Sequence, residues 1–332
     1  MSGVEIREVA AGDDGIRIDR WFKVHYPGLS FGRLQKLMRT GQIRLDGGRT
    51  KPGERIAAGQ KIRVPPIDPE AAPKPKRRPS DKDTAFVRSL ILHEDKDLIV
   101  LNKPYGLAVQ GGSGTTRHLD GMLGALAGRG GEPPRLVHRL DRDTAGVIVL
   151  ARRRAVAAEL SRTFRSRSAR KIYWALVTGV PKPAQGRISV ALAKTPGPQG
   201  ERVAPVDPDD EDAQHAVTYY SVIDKAAQRF AWLSLKPVTG RTHQLRVHCA
   251  HIGHPIVGDP KYGERHVADP ERDPLGGLDN KLHLVARRIV LPHPAGGTLD
   301  VTAPLPEHMQ RSWDRLGFDV ADYDPKVEED VR

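Results

Sequence analysis

Apolar positions along this chain change period several times, and the changes divide it into two parts. From residue 14 to about 66, Ile16, Ile18, Trp21 and Phe22 begin one apolar face, and Leu34, Leu37 and Met38 continue one at helical spacing after Ser30. Tyr26-Pro27-Gly28-Leu29 between them reads as a turn. Thr40 to Gly48 reads as a helix stop, a short strand and an Asp46-Gly47 turn, and Lys61-Ile62-Arg63-Val64 as a closing strand. Residues 67–83 are dense in proline and in cations such as Lys74, Lys76, Arg77 and Arg78, which predicts a semi-extended linker.

The second part, residues 84–315, reads as mixed strand and helix. Phe86 to Asp95 alternates in part, and Leu98-Ile99-Val100-Leu101 is an apolar strand stopped by Pro104. Leu136-Val137 and Ala145 to Leu150 flank the charged run His138-Arg139-Leu140-Asp141-Arg142-Asp143, a pattern of two buried strands joined by a polar loop. Val156, Leu160 and Phe164 mark an amphipathic helix. Lys171 to Val177 alternates, with Tyr173 on the face of Ala175 and Val177. Residues 194–216, with the acidic run Asp207 to Asp212, suggest an exposed hairpin or loop insertion, and strands resume at Ala216 to Tyr220 and Phe230 to Leu235. Thr242 as N-cap and Gly253 as stop bound a helix that buries Leu245, Cys249 and Ile252, with Arg246 beside that stripe. Residues 316–332 read as an acidic, frayed tail.

Composition narrows the classes. The 332 residues favour two domains, and 53 Lys and Arg against 41 acids leave a charge of +12, which favours a polyanionic partner, nucleic acid before membrane. No apolar run reaches membrane-spanning length, and the start lacks the pattern of a secretory signal. The single cysteine, Cys249, excludes an internal disulfide and a CxxC zinc site, so a reducing, cytoplasmic setting is expected.

Candidate chemistry concentrates at few places. Arginines and a carboxylate at a strand end suit either catalysis or a salt-bridged turn. Asp143, two residues from Asp141, is expected to bond nearby backbone amides, and an Asp-x-Asp alone is a poor magnesium site. The loop Gly106 to Gly114 lacks the spacing of a P-loop or a dinucleotide fingerprint. His248 and His251 share a helix face, but no third zinc ligand accompanies them. Arg33, Lys36 and Arg39 form a row of cations suited to phosphates, or to a solvated helix face.

The first part, on Ile18-Asp19-Arg20-Trp21, Ser30 to Leu37 and Gly41 to Gly47, resembles the small αL-type (S4-like) RNA-binding domain. That resemblance implies binding of structured RNA through Arg33, Lys36 and Arg39. The second part resembles the RluA-type family of pseudouridine synthases, in its RluC/RluD branch. The resemblance rests on Asn102-Lys103-Pro104 with Gly106 to Val109, His138 to Thr144, Lys171-x-Tyr173, Gly240 to His248 and Gly253 to Asp259. The loop Gln110-Gly111-Gly112-Ser113-Gly114 points to the RluC side of that branch.

The resemblance implies an α+β catalytic domain on a mixed, largely antiparallel sheet, acting without cofactor or metal on large-subunit ribosomal RNA, as a monomer. It makes Asp141 the essential carboxylate, acting on C1′ or on the uracil ring. Arg246 becomes its ion-pair partner, and Tyr173 the group against the base, for proton transfer or stacking. Arg139 fills the stack vacated by an extruded base. Lys103 either contacts phosphate or supports its loop. The competing reading is a non-catalytic RNA-binding or ribosome-assembly protein of the same fold. Tyr105 and Ala145 depart from the family pattern, and neither removes a group the chemistry needs.

Overall fold

A computed structural model describes residues 3–67, 79–112, 115, 117–128, 131–197, 201–263 and 277–328. Most of the proline-rich linker, 68–78, lies outside the described residues, as do Ser113, Gly114 and 329–332. Contacts divide the chain into two compact units, Met1–Arg77 with Gly112–Thr115, and Arg78–Gly111 with Thr116–Arg332.

In the first unit, helices Ile18–His25 and Phe31–Arg39 pack Ile18, Trp21, Phe22, Leu34 and Met38 onto a small sheet. Its strand order is Glu5–Glu8, Lys61–Val64, Arg44–Leu45, Gly48–Arg49. The first of these strands lies upstream of residue 14, where the apolar pattern began. Ser30 caps the second helix by accepting from the Arg33 amide. Asp46 and Gly47 both take positive φ, 47° and 81°, as a tight hairpin turn requires.

The second unit is α+β. Its sheet runs Arg202–Val206, Gln185–Thr195, Gln214–Ala226, Phe230–Pro237 and Arg170–Thr178. It continues through Leu284–Pro292, Ala145–Ala151, Leu98–Lys103 and Ile91–Glu94. Among the described residues one neighbouring pair is parallel, Val285 and Ala286 beside Ala145 and Gly146; the other pairings are antiparallel. The central strand Ala145–Ala151 is buried throughout. Val147, Val149 and Ala151 face the helix Arg154–Arg165, while Ile148 and Leu150 pack on Leu119, Met122 and Leu123. Among the described residues no helix is long and apolar enough to cross a membrane.

Register sets up the site. Lys103 pairs with Gly146, Gly146 with Ala286, Ala286 with Tyr173, and Tyr173 with Leu235, a single row across five strands. Gly146 (φ 106°) is obligatory there, because a Cβ would overlap the Ala286 carbonyl.

Several local expectations are corrected. Phe86 to Ser89 ends a helix, Asp81–Ser89, and the strand starts only at Ile91. Ser80 and Asp83 form a reciprocal cap at that helix start, which outweighs the partial alternation downstream. The strand before the charged loop is short and half-buried, Arg135–Leu136. The helix expected from Thr242 begins at Gln244, because Gln244 Oε1 already holds the Arg241 amide and the Thr239 hydroxyl. The stretch after 315 packs back: Phe318 is buried, and Tyr323 lies 5.0 Å from Trp174, ring to ring.

Candidate active site

The loop from Val137 to Thr144 carries the site, and it is pinned at both ends. His138 Nε2 accepts from the Val149 amide at 2.9 Å, and its ring packs on Phe164. Burial, with Lys171 adding, holds the His138 pKa down to about 3, so the imidazole is neutral. At the other end the Lys103 ammonium donates to the carbonyls of Pro104, Leu107 and Arg142 at 2.8 to 2.9 Å. The Lys103 side chain is fully buried. Lys103 therefore anchors the loop, and its burial favours that role over a phosphate contact. Burial holds its pKa down to about 7 against the pull of Asp143 and Asp141.

Asp141 sits half-buried in the loop between these anchors. Asp143 accepts from Arg142 Nε at 3.1 Å rather than from backbone amides. Arg139 is exposed at the rim. A cleft of about 520 Å³ opens over the loop, lined by Arg139 to Asp143, by Ala108 to Gly111, and by His243, Arg246 and Lys261. A smaller cavity of about 100 Å³ shares Arg139, Asp141, His243 and Arg246 and is floored by Lys171, Tyr173 and Leu284.

The structure brings Arg246 to Asp141, Nη1 to Oδ2 at 3.9 Å, but its hydrogen-bonded partner is Asp259. Nε and Nη2 reach the two Asp259 oxygens at 2.8 and 2.7 Å. Asp259 also accepts from the Lys261 and Tyr262 amides. Burial opposes the charge on Arg246, yet the Asp259 hydrogen bonds and the charges of Asp259 and Asp141 raise its pKa above the ordinary value. The expected single ion pair is thus a triad, with Asp259 holding the arginine and Asp141 left free for a reactant. Asp259 had a sequence signal, a carboxylate after the apolar Pro255 to Gly258, where a buried charge needs a cationic partner.

Tyr173 is half-buried on strand Arg170–Thr178, and among the described residues its hydroxyl has no hydrogen-bond partner. Burial, then the Asp141 charge, raises its pKa, so the phenol keeps its proton. A protonated, unbonded hydroxyl in the same cavity as a carboxylate leaves a donor for a bound substrate. Lys171 lies two residues away on the same face, its pKa lowered by burial. Arg33, Lys36 and Arg39 belong to the first unit, exposed on helix Phe31–Arg39.

The RNA pseudouridylate synthase family matches residues 97–251, which hold the loop, Tyr173 and Arg246. Ribosomal large subunit pseudouridine synthase C of Escherichia coli (strain K12) is 33% identical over 322 residues, 94% of this chain and 97% of the relative. This chain belongs to the RNA pseudouridine synthases. Mitochondrial RNA pseudouridine synthase 4 of Arabidopsis thaliana is 36% identical, across 90% of this chain and 78% of that one. The solved structure of human RNA Pseudouridylate Synthase Domain Containing 4 is 33% identical and superposes with a TM-score of 0.61, covering 72% of this chain and 98% of that chain. As a pseudouridine synthase the protein is an isomerase, and the catalytic reading prevails over the non-catalytic one.

Proposed function

We propose that this pseudouridine synthase isomerises uridines of large-subunit ribosomal RNA, with Asp141 as the reactive carboxylate. The observation that carries the assignment is the Asp141 carboxylate in the cleft floor, 3.9 Å from an Arg246 already neutralised by Asp259, beside the unbonded Tyr173 hydroxyl. Arg246 faces Asp141 without capping it. Tyr173 contacts the uracil, and its protonated hydroxyl is the donor towards the ring. The target base must leave its stack to reach a cavity of this depth, and Arg139 at the rim takes its place. The ribosomal substrate is supported by the name of the Escherichia coli relative, which spans nearly the whole chain.

The first unit, read as an S4-like domain over residues 14–66, grips structured RNA through Arg33, Lys36 and Arg39, and the catalytic domain spans 84–315. The enzyme acts as a monomer in a reducing cytoplasm, a setting supported by its one cysteine, the buried Cys249. The deciding experiment is tritium release from C5-labelled transcripts, large-subunit against small-subunit ribosomal RNA, with wild type and Asp141→Ala. Release should be confined to the large-subunit transcript and abolished by the substitution; equal release from both transcripts rejects the substrate, and release by Asp141→Ala rejects the carboxylate.

A further inference from the structure

His243 has no role in the chemistry described so far, yet its backbone is held in an uncommon conformation, its Nδ1 is hydrogen-bonded and its Nε2 faces Asp141. It takes left-handed dihedrals, φ 53° and ψ 18°, immediately before helix Gln244–His251, and caps nothing with its side chain. Such a conformation is unfavourable for a histidine and persists where the surroundings impose it. Its Nδ1 lies 2.8 Å from the Tyr262 hydroxyl, and its Nε2 lies 3.9 Å from Asp141 Oδ2.

The Tyr262 hydroxyl favours one tautomer. It accepts from the Val203 amide at 3.1 Å, a group that can only donate. The phenol proton is then directed at its other partner, His243 Nδ1. A neutral imidazole that accepts at Nδ1 carries its hydrogen on Nε2. That N–H faces the Asp141 carboxylate.

We propose that His243, held in its Nε2–H tautomer by Tyr262, is a positioning residue that orients the Asp141 carboxylate for reaction. The proposal rests on Asp141 being the reactive group. With Arg246 committed to Asp259, Asp141 has no short hydrogen bond from it, and the Nε2–H dipole aimed at Oδ2 from 3.9 Å, beyond hydrogen-bond length, biases the orientation of the carboxylate while its other oxygen stays open to substrate. Preorganisation of this kind acts on the rate more than on binding.

The charged and titratable groups around the imidazole come from three segments: Asp141 on the loop, Arg246 on the helix, and Asp259, Lys261 and Tyr262 after Gly258. Burial first, then Arg246 and Lys261, lower the His243 pKa against the pull of Asp141 and Asp259. The neutral ring is therefore the working form. Protonation would pair His243 tightly with Asp141 and reduce the reactivity of the carboxylate.

The test uses the full-length protein and a C5-tritiated large-subunit ribosomal RNA transcript, with single-turnover rates across pH and RNA affinity measured separately. Tyr262→Phe keeps the ring against Arg246 and removes the hydroxyl, which offers the proton to Nδ1 and accepts from the Val203 amide, so its folding is checked by urea denaturation alongside. It should lower the rate about tenfold at unchanged RNA affinity and move the acid limb of the pH profile up by about half a unit. His243→Ala should lose roughly 100-fold, while His243→Gln, whose amide can donate to Asp141 and accept from Tyr262, should recover much of that rate. A wild-type rate and acid limb in Tyr262→Phe overturn the proposal. So does a loss in His243→Ala that appears wholly in RNA affinity, or one that His243→Gln shares in full. Activity surviving in Asp141→Ala sinks the reading of Asp141 and this inference with it, whereas an inactive Asp141→Ala beside an unaffected Tyr262→Phe removes this inference alone.

Discussion

Arg246 donates two short hydrogen bonds to Asp259, at 2.8 and 2.7 Å, and approaches Asp141 with its third nitrogen only to 3.9 Å. Both members of the close pair are buried, the Asp259 side chain completely. The arginine is thus oriented by Asp259, and its remaining edge faces Asp141, the carboxylate proposed to react. This division explains how a charged residue is held against the cleft floor without quenching Asp141.

Removing Asp259 should therefore damage the fold and the site together. Asp259→Ala strands a buried guanidinium, and a broken buried pair of this kind costs about 3–5 kcal/mol. The freed Arg246 then closes on Asp141. Urea denaturation should show that loss, and the folded fraction should have a reduced single-turnover rate. A fully stable, fully active Asp259→Ala would contradict the triad.

Lys103 yields a prediction that separates a loop anchor from a phosphate contact. Lys103→Met should slow the reaction while leaving the salt dependence of RNA affinity unchanged, whereas a lost phosphate contact would reduce that slope by roughly 0.7–0.9. The pH dependence has a definite sign. In the unfolded chain Lys103 stays protonated to about pH 10.4, but in the fold only to about 7. Between those limits the unfolded state binds more protons, so this residue's contribution to stability rises with pH. Wild type should gain on Lys103→Met between about pH 7 and about pH 9 in urea denaturation.

Tyr173 tests the division between proton transfer and stacking. Tyr173→Phe keeps the ring and removes the unbonded hydroxyl. If the hydroxyl moves the proton, the single-turnover rate falls by about 100-fold or more with RNA affinity intact. If the ring only stacks, Tyr173→Phe is near wild type and Tyr173→Leu is the damaging change.

Much of this was legible in the sequence, and the parts that were not share a cause. Tyr173 was placed by strand period, and the charged loop by the apolar runs that flank it, both local signals. The helix face of Leu245, Cys249 and Ile252 followed from period too, and all three meet in one core cluster. Lys103 was ambiguous because its burial depends on the Arg142 carbonyl, 39 residues downstream. For Arg246 the resemblance implies Asp141 as partner, whereas its hydrogen-bonded partner, Asp259, comes from a loop 13 residues after it. The Phe86 to Ser89 helix was missed because its cap, Ser80 with Asp83, lies ahead of the apolar stretch that suggested a strand. Tertiary partners, not local propensity, decided each of these.

His138 predicts acid sensitivity. Unfolded, it takes a proton near pH 6.5; folded, only near 3, because burial keeps the ring neutral. As pH falls through that window the unfolded state binds more protons, and stability is lost. Buried His248 and His283, each held down to about 4, act with the same sign. His138→Gln keeps an acceptor for the Val149 amide and removes one titration. It should reduce the slope of unfolding free energy against pH by at most about 1.4 kcal/mol per unit within the window. An unchanged slope would mean that His138 is charged in the fold.

The cation row on helix Phe31–Arg39 is where a solvated surface and an RNA contact make opposite predictions. Arg33, Lys36 and Arg39 are exposed, and among the described residues none of their side chains has an ion-pair partner. Losing their charges should leave stability within about 0.5 kcal/mol, as for ordinary surface changes. If the three meet phosphates, the combined glutamine variant should lower the slope of log affinity against log salt by roughly 2 to 3. The single-turnover rate at saturating RNA should not change, because Asp141, Tyr173 and Arg246 all belong to the other unit. A loss of that rate at saturation would give the row a part in catalysis, and an unchanged salt slope would make it a solvated face.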